Sequence, residues 1–197
     1  MIQPLLVMFL FAQAPVDYQR QGEDAFRQGK FAESVAAFDK VIAALPDQAP
    51  HHWQRGISLY YAGRFADCQA QFELHRTVNP EDFENAAFHM LCAARIEGFK
   101  EAQKKLIPIR EDTRTPMRQL HALWKGDGSV ESVLNAAGNS RGGNFYAYLY
   151  LALFEETRGK KDAAKTYARR AAELAPQDYM GDVARIHAKY GAPAAAK

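Results

Sequence analysis

The chain has 197 residues, 48% of them hydrophobic and 24% charged, with 25 Lys and Arg against 23 Asp and Glu for a formal charge of +2. Such a composition fits one domain or one short repeat array that buries a core. The balanced charge, with no Lys/Arg-rich run, gives no pull on nucleic acid.

The sequence opens on MIQPLLVMFLFAQAP, an apolar run ending in Ala12-Gln13-Ala14. This pattern predicts a short signal peptide over residues 1–14 and a chain exported to the periplasm or beyond. The alternative is an apolar helix lying on the domain that follows, in a cytoplasmic protein. The run is too short to span a bilayer as a helix, so no integral membrane span is expected.

Residues 22–46, GEDAFRQGKFAESVAAFDKVIAALP, align with residues 56–80, GISLYYAGRFADCQAQFELHRTVNP. Gly22 matches Gly56, Gly29 matches Gly63, Phe31 matches Phe65, Ala32 matches Ala66, Phe38 matches Phe72 and Pro46 matches Pro80, every pair 34 residues apart. A fixed period of this length signals stacked supersecondary units. Each recurring residue has a physical role in a helix–turn–helix. Gly22 and Gly56 let two helices approach closely, and Gly29 and Gly63 end the first helix in a left-handed turn. Phe31 and Phe65 open the second helix, Ser34 and Cys68 are small where it crosses the first, and Pro46 and Pro80 stop it. His51, His52 and Trp53 start the first helix of the second unit.

Further along, a degenerate third unit covers 83–114, with Gly98 at its turn and Phe99, Ala102 and Leu106 in phase, until Pro108 cuts its second helix short. A shortened pair follows over 115–140. Thr115 is expected to cap a helix with Pro116 at its first position, and Ser129 to cap VESVLNAA. GNSRGGN, 138–144, reads as loop. A fifth unit over 145–178 has Gly159, Ala164, Ala171 and Pro176 in phase, with Lys161 in place of the aromatic. The run FYAYLYLALF predicts a helix buried nearly all round. A last helix over 179–190 is expected to cap the exposed end of the array, and 191–197 reads as a flexible tail.

The glycine, aromatic, small and proline positions of residues 15–48, 49–82 and 145–178 resemble the tetratricopeptide repeat family. The resemblance implies an all-α fold, an α-solenoid of about five stacked helix pairs plus a C-terminal capping helix. It also implies a concave groove lined by the first helix of each pair, in which a peptide or partner helix lies. The family's groove positions fall on Gln19, Glu23, Phe26 and Arg27, then on Trp53, Ile57, Tyr60 and Tyr61. Glu84, Ala87, Leu91 and Arg95 follow in the third unit, and Tyr146, Leu149 and Leu153 in the fifth. Trp53, Tyr60 and Tyr61 stand out because Trp and Tyr supply much of the energy at interfaces. They serve core packing equally well. Some relatives hold an acidic chaperone tail in a clamp of Lys, Asn and Arg; here Gln19, Glu23 and Ile57 hold those positions, and Glu23 would repel a carboxylate.

Chemistry leaves little trace. GNSRG at 138–142 has the spacing of a nucleophile elbow, but that turn needs a strand before the serine and none is predicted. The six histidines lack metal-ligand spacing, and adjacent His51 and His52 would point about 100° apart on a helix. RGKK at 158–161 lacks the flanking residues of a phosphate loop. Cys68 and Cys92 are too few for a disulfide scaffold or a thiolate zinc site. They read as two buried apolar side chains, or as one bridge if the chain is exported. No cofactor, metal or catalytic role is expected. The expected function is a non-catalytic scaffold that binds a protein or peptide partner, with self-association through the same surface into a homo-oligomer as the alternative.

Overall fold

The computed structural model describes the backbone of residues 4–193 and the side chains of residues 15–193, so the last four positions of the expected tail, 194–197, lie outside the described residues. The candidate signal peptide, 1–14, therefore falls outside the described side chains. The described residues are all-helical. Helices α1 (Pro4–Arg27) and α2 (Phe31–Ala44) form the first hairpin, and a 3-10 turn (Pro46–His51) leads to α3 (Trp53–Tyr61) and α4 (Phe65–Arg76). Then come α5 (Phe83–Glu97) with the short α6 (Phe99–Lys104), α7 (Met117–Lys125) with α8 (Val130–Ala137), α9 (Arg141–Thr157) with α10 (Lys161–Leu174), and α11 (Tyr179–Tyr190). Each helix packs chiefly on its neighbours in sequence, in the manner of a helical repeat.

The 34-residue punctuation does the physical work expected of it in the first two hairpins. A β-carbon built on Gly22 would stand 2.6 Å from the Phe38 ring, and one on Gly56 would stand 2.7 Å from the Phe72 ring. In both units, then, an aromatic of the second helix presses on bare backbone of the first. Gly29 and Gly63 both take φ of 75°, where only glycine is unstrained. Ser34 and Cys68 are completely buried. Ser34 donates a hydrogen bond to the Gly22 carbonyl at 2.7 Å, tying α2 to α1 at their closest approach.

Local chemistry moves several boundaries. His51 closes the 3-10 turn and His52 sits at the cap, so α3 begins at Trp53. Pro116 occupies the cap position and α7 begins one residue later, at Met117. Residues 141–144, read as loop, are the first turn of α9. Ser140 caps it by accepting from the Gly143 N–H at 3.1 Å, and the glycines that suggested a loop fit within that turn. Cys68 and Cys92 form a disulfide between α4 and α5, their Cα atoms 6.0 Å apart. Of the two readings of the cysteines, the structure takes the bridge.

Buried side chains run as one core from Phe26 through Phe72, Phe83 and Phe88 to Trp124 and Phe154. Helix α9 carries nine consecutive positions, 147–155, of which all but Tyr148 are buried, as the apolar run predicts. The last helix differs from a simple end cap. It packs on α10 and also reaches back to α1. Tyr179 lies between Phe26 and Trp53, Tyr190 meets Phe31 edge-on, and His187 meets Tyr61. The physical reason is the aromatic inner face of the first two hairpins, which α11 covers with its own aromatics. Among the described residues, no helix is long and apolar enough to cross a membrane.

Candidate functional site

The groove positions separate into two sets. In the first set Phe26, Tyr60, Tyr61 and Leu149 are buried in packing. Phe26 stacks on Tyr179, and the Tyr61 hydroxyl lies 3.1 Å from His187 Nδ1. The other His187 nitrogen, Nε2, faces Glu156 at 3.1 Å and donates to the carboxylate. Burial pushes Glu156 up, but the His187 hydrogen bond and charge prevail and hold it below its ordinary range. Arg27 is exposed and pairs with Asp182 of α11 at 2.7 Å, while Gln19 donates to Glu23 at 2.8 Å. Arg95 lies over the Tyr60 ring and donates to its hydroxyl. Ala87, Leu91 and Leu153 are also core. Around Phe26 and Tyr61, the chain's own α11 lies where a guest helix was expected.

The second set remains open. Trp53, Ile57, Glu84 and Tyr146 line a cavity of about 490 Å³ enclosed by α3, α4, α5, α9 and the start of α11. Its other walls are Phe72, His75, Asn79, Asp82, Asn85, Phe88, Asp178, Tyr179 and Met180. Helix starts place most of the polar groups. Asp82 caps α5 by accepting from the Glu84 N–H, and Asp178 caps α11 by accepting from the Gly181 N–H. A cap faces out of the helix end, so both carboxylates sit at the rim where α5 and α11 begin. Apolar residues of α3, α4 and α5 supply the walls.

One arginine holds the acidic edge together. Arg114, from the irregular segment after α6, reaches Asp82, Glu84 and Asp112. Three carboxylates share that single cation. Burial and the neighbouring Asp82 charge raise Glu84 from its ordinary 4.5 to about 7, outweighing Arg114 and the hydrogen bond donated by Tyr150 at 2.7 Å. Burial also pushes Asp112 up, but Arg114 and the Phe83 N–H prevail and keep that carboxyl below its ordinary range. Tyr146 is pushed up to about 12 by burial and by Glu84. His75 Nδ1 lies 2.7 Å from the Pro50 carbonyl, which can only accept, so Nδ1 carries the proton.

Asn85 is the unusual member. It is 1% exposed, and neither its amide nitrogen nor its amide oxygen has a hydrogen-bond partner. Leaving such a group unpaired costs about 1–3 kcal/mol per atom. Both atoms are closed to solvent, so the amide is sealed in the packing behind the cavity wall. Motif reading passed over Asn85, although a lone amide inside FENAAFHMLCAA was the available signal. Asp82, Asp178 and Tyr179 were missed because only the return of α11 brings them together. Among the described residues, no three His, Cys, Asp or Glu side chains are placed to hold a metal ion. No protein-family model matches the chain, and no curated protein does.

Proposed function

We propose that the chain is a non-catalytic binding module, built on tetratricopeptide-like hairpins, that receives a segment of a partner protein in the cavity between α3, α5 and α11. The observation that carries this reading is the cavity of about 490 Å³ walled by Trp53, Ile57, Phe88, Tyr146 and Tyr179, with Asp82 and Asp178 at its edge. Pockets that bind ligands combine such apolar walls with a few placed polar groups. The sequence-based resemblance supports the same reading, since it puts partner contacts on the inner helices. The disulfide between Cys68 and Cys92 supports export, because such bonds persist in oxidising compartments and are rare in the cytosol.

The test is affinity capture from the cell envelope with the full chain and with Trp53→Ala and Tyr146→Ala. Trp53 is half-buried, so its removal leaves most of the core in place. Loss of the same captured proteins by both variants, at matched thermal stability, supports the reading. Capture unchanged by either variant overturns it.

A further inference from the structure

We propose that the cleft between α10 and α11 binds phosphate, with Lys161, Lys165, Arg169 and Lys189 holding a phosphate group carried by a small molecule or a lipid headgroup. The cleft shares no residue with the cavity at Trp53, so this goes beyond the binding-module reading and does not depend on it.

The cleft has a volume of about 430 Å³, and its inner surface includes the buried Ala164, Ala168 and His187. Lys161, Lys165 and Arg169 follow one another at four-residue steps, which sets them along one face of α10. Lys189 comes from the last turn of α11, its ammonium 4.9 Å over the Tyr190 ring. That ring is held in turn against Phe31 and the bare backbone of Gly29. Cations from two helices thus meet at one concave surface.

The repeat pattern accounts for the opening. The second helices of the first three hairpins begin with Phe31, Phe65 and Phe99, and all three rings pack on the core. Helix α10 begins with Lys161 instead, and Ala168 stands where the first two hairpins place Phe38 and Phe72. Two rings are absent from this corner, and charge lines the space.

The charge is uncompensated. Nearby cations are paired, Arg158 and Lys160 with Glu155 and Arg185 with Asp182. Among the described residues, no acidic side chain pairs with any of the four in the cleft. Glu156, the carboxylate on its wall, is taken by His187 and by the Ala192 N–H. Like charges four residues apart destabilise a helix, and an anion seated among them reverses that cost.

The donors select the anion. A lone carboxylate, with one charge and two oxygens, would leave most of these cations unmet. A phosphate monoester brings close to two charges and three acceptor oxygens. The Arg169 fork can take two of those oxygens while the lysines act as point charges. All four cations are exposed, so the phosphate can enter while attached to a larger body.

The probes are inorganic pyrophosphate, citrate as a carboxylate anion of similar charge, and phosphatidylcholine vesicles with and without phosphatidic acid. All are titrated into the full chain at one ionic strength. Lys165→Gln and Arg169→Gln should each weaken pyrophosphate binding about tenfold. Arg170→Gln removes the same charge from the same helix but outside the cleft, and should leave affinity within about twofold. All three positions are exposed, so the variants keep the fold.

Vesicle binding that requires phosphatidic acid and is competed by pyrophosphate supports the site and identifies a lipid headgroup. Pyrophosphate binding without vesicle binding supports it and identifies a soluble phosphate compound. Citrate binding as tight as pyrophosphate overturns the phosphate assignment. Equal losses in Arg169→Gln and Arg170→Gln, or no binding by any probe, overturn the site, and envelope capture by the Trp53 variant is untouched by either result.

Discussion

Tyr179 stacks on Phe26 with ring centroids 5.0 Å apart, joining the last described helix to the first. Trp53 meets the same tyrosine edge-on at 5.3 Å, and the Tyr179 hydroxyl reaches Ser58 at 3.3 Å. Ser58 in turn lies 2.8 Å from Ser34, whose own proton goes to Gly22. Proton counting then orients the chain: Ser58 donates to Ser34, and Tyr179 donates to Ser58 or to the Gln54 carbonyl. One aromatic thus closes a row of hairpins onto itself and forms a wall of the cavity.

That closure should be visible in stability. Phe26 is fully buried, and Phe26→Ala is expected to cost about 3–5 kcal/mol in urea unfolding. Tyr179→Phe removes a single hydroxyl and should cost about 1 kcal/mol. Tyr179→Ala should fall well beyond that and lower amide protection in α1 as well as in α11. Protection lost in α11 alone would show that the two ends are not coupled.

Close approach of helices makes a second expectation. Gly22→Ala and Gly56→Ala each drive a β-carbon into a phenylalanine ring at under 3 Å, and each should destabilise by about 1–3 kcal/mol. Gly142, in the first turn of α9, has nothing within 4 Å of the same position. Gly142→Ala should be neutral or stabilise by about 0.5–1 kcal/mol, because alanine loses less backbone freedom. Equal effects at all three sites would mean that helix propensity, and not packing on Phe38 and Phe72, governs the glycines.

The disulfide makes a third. Cys68 and Cys92 are 24 residues apart in sequence and both completely buried. Closing a loop of that length removes chain entropy from the unfolded state worth about 3.5 kcal/mol. The Cys68→Ala, Cys92→Ala double variant should lose that much in denaturant titration. Mild reductant should leave the folded protein untouched, since the sulfurs are out of reach. Free thiols found by alkylation of the unfolded, never-reduced protein would refute the bridge.

What could be read in the sequence, and what could not, follows from the range of each interaction. Gly29, Gly63, Phe31 and Phe65 act within their own hairpin, so spacing alone revealed the first two units. The buried run of α9 was legible for the same reason. The start of α9 was obscured because Gly142 and Gly143 imitate a loop, while the Ser140 cap that decides the matter is a single side chain. The site lay mostly beyond reach. Trp53, Ile57, Glu84 and Tyr146 were identified as inner-face positions, and they do line the cavity. Phe26 and Tyr61 were placed on the same face, but nothing local says that Tyr179 and His187 come back to cover them. Asn85 and Asp178 depend on that return as well.

The acidic edge supplies a prediction in pH. Glu84 titrates at about 7 in the folded chain against its ordinary 4.5, so between those values the folded state binds more protons than the unfolded one. Stability from this group is therefore lost as pH rises through that window, by up to about 3 kcal/mol. Asp82, Arg114, Tyr146 and Tyr150 are the charged and titratable groups around it. Asp112 and Glu156 are held below their ordinary range and act in the opposite sense, their contribution lost as pH falls further. Glu84→Gln isolates the first effect, because glutamine keeps an acceptor for Tyr150 and carries no titrating proton. The difference in unfolding free energy between variant and wild type should move in the variant's favour by about 2–3 kcal/mol from pH 5 to pH 8. Parallel curves across that range would show that Arg114 and Tyr150 offset burial and Asp82 in full and that Glu84 ionises in its ordinary range.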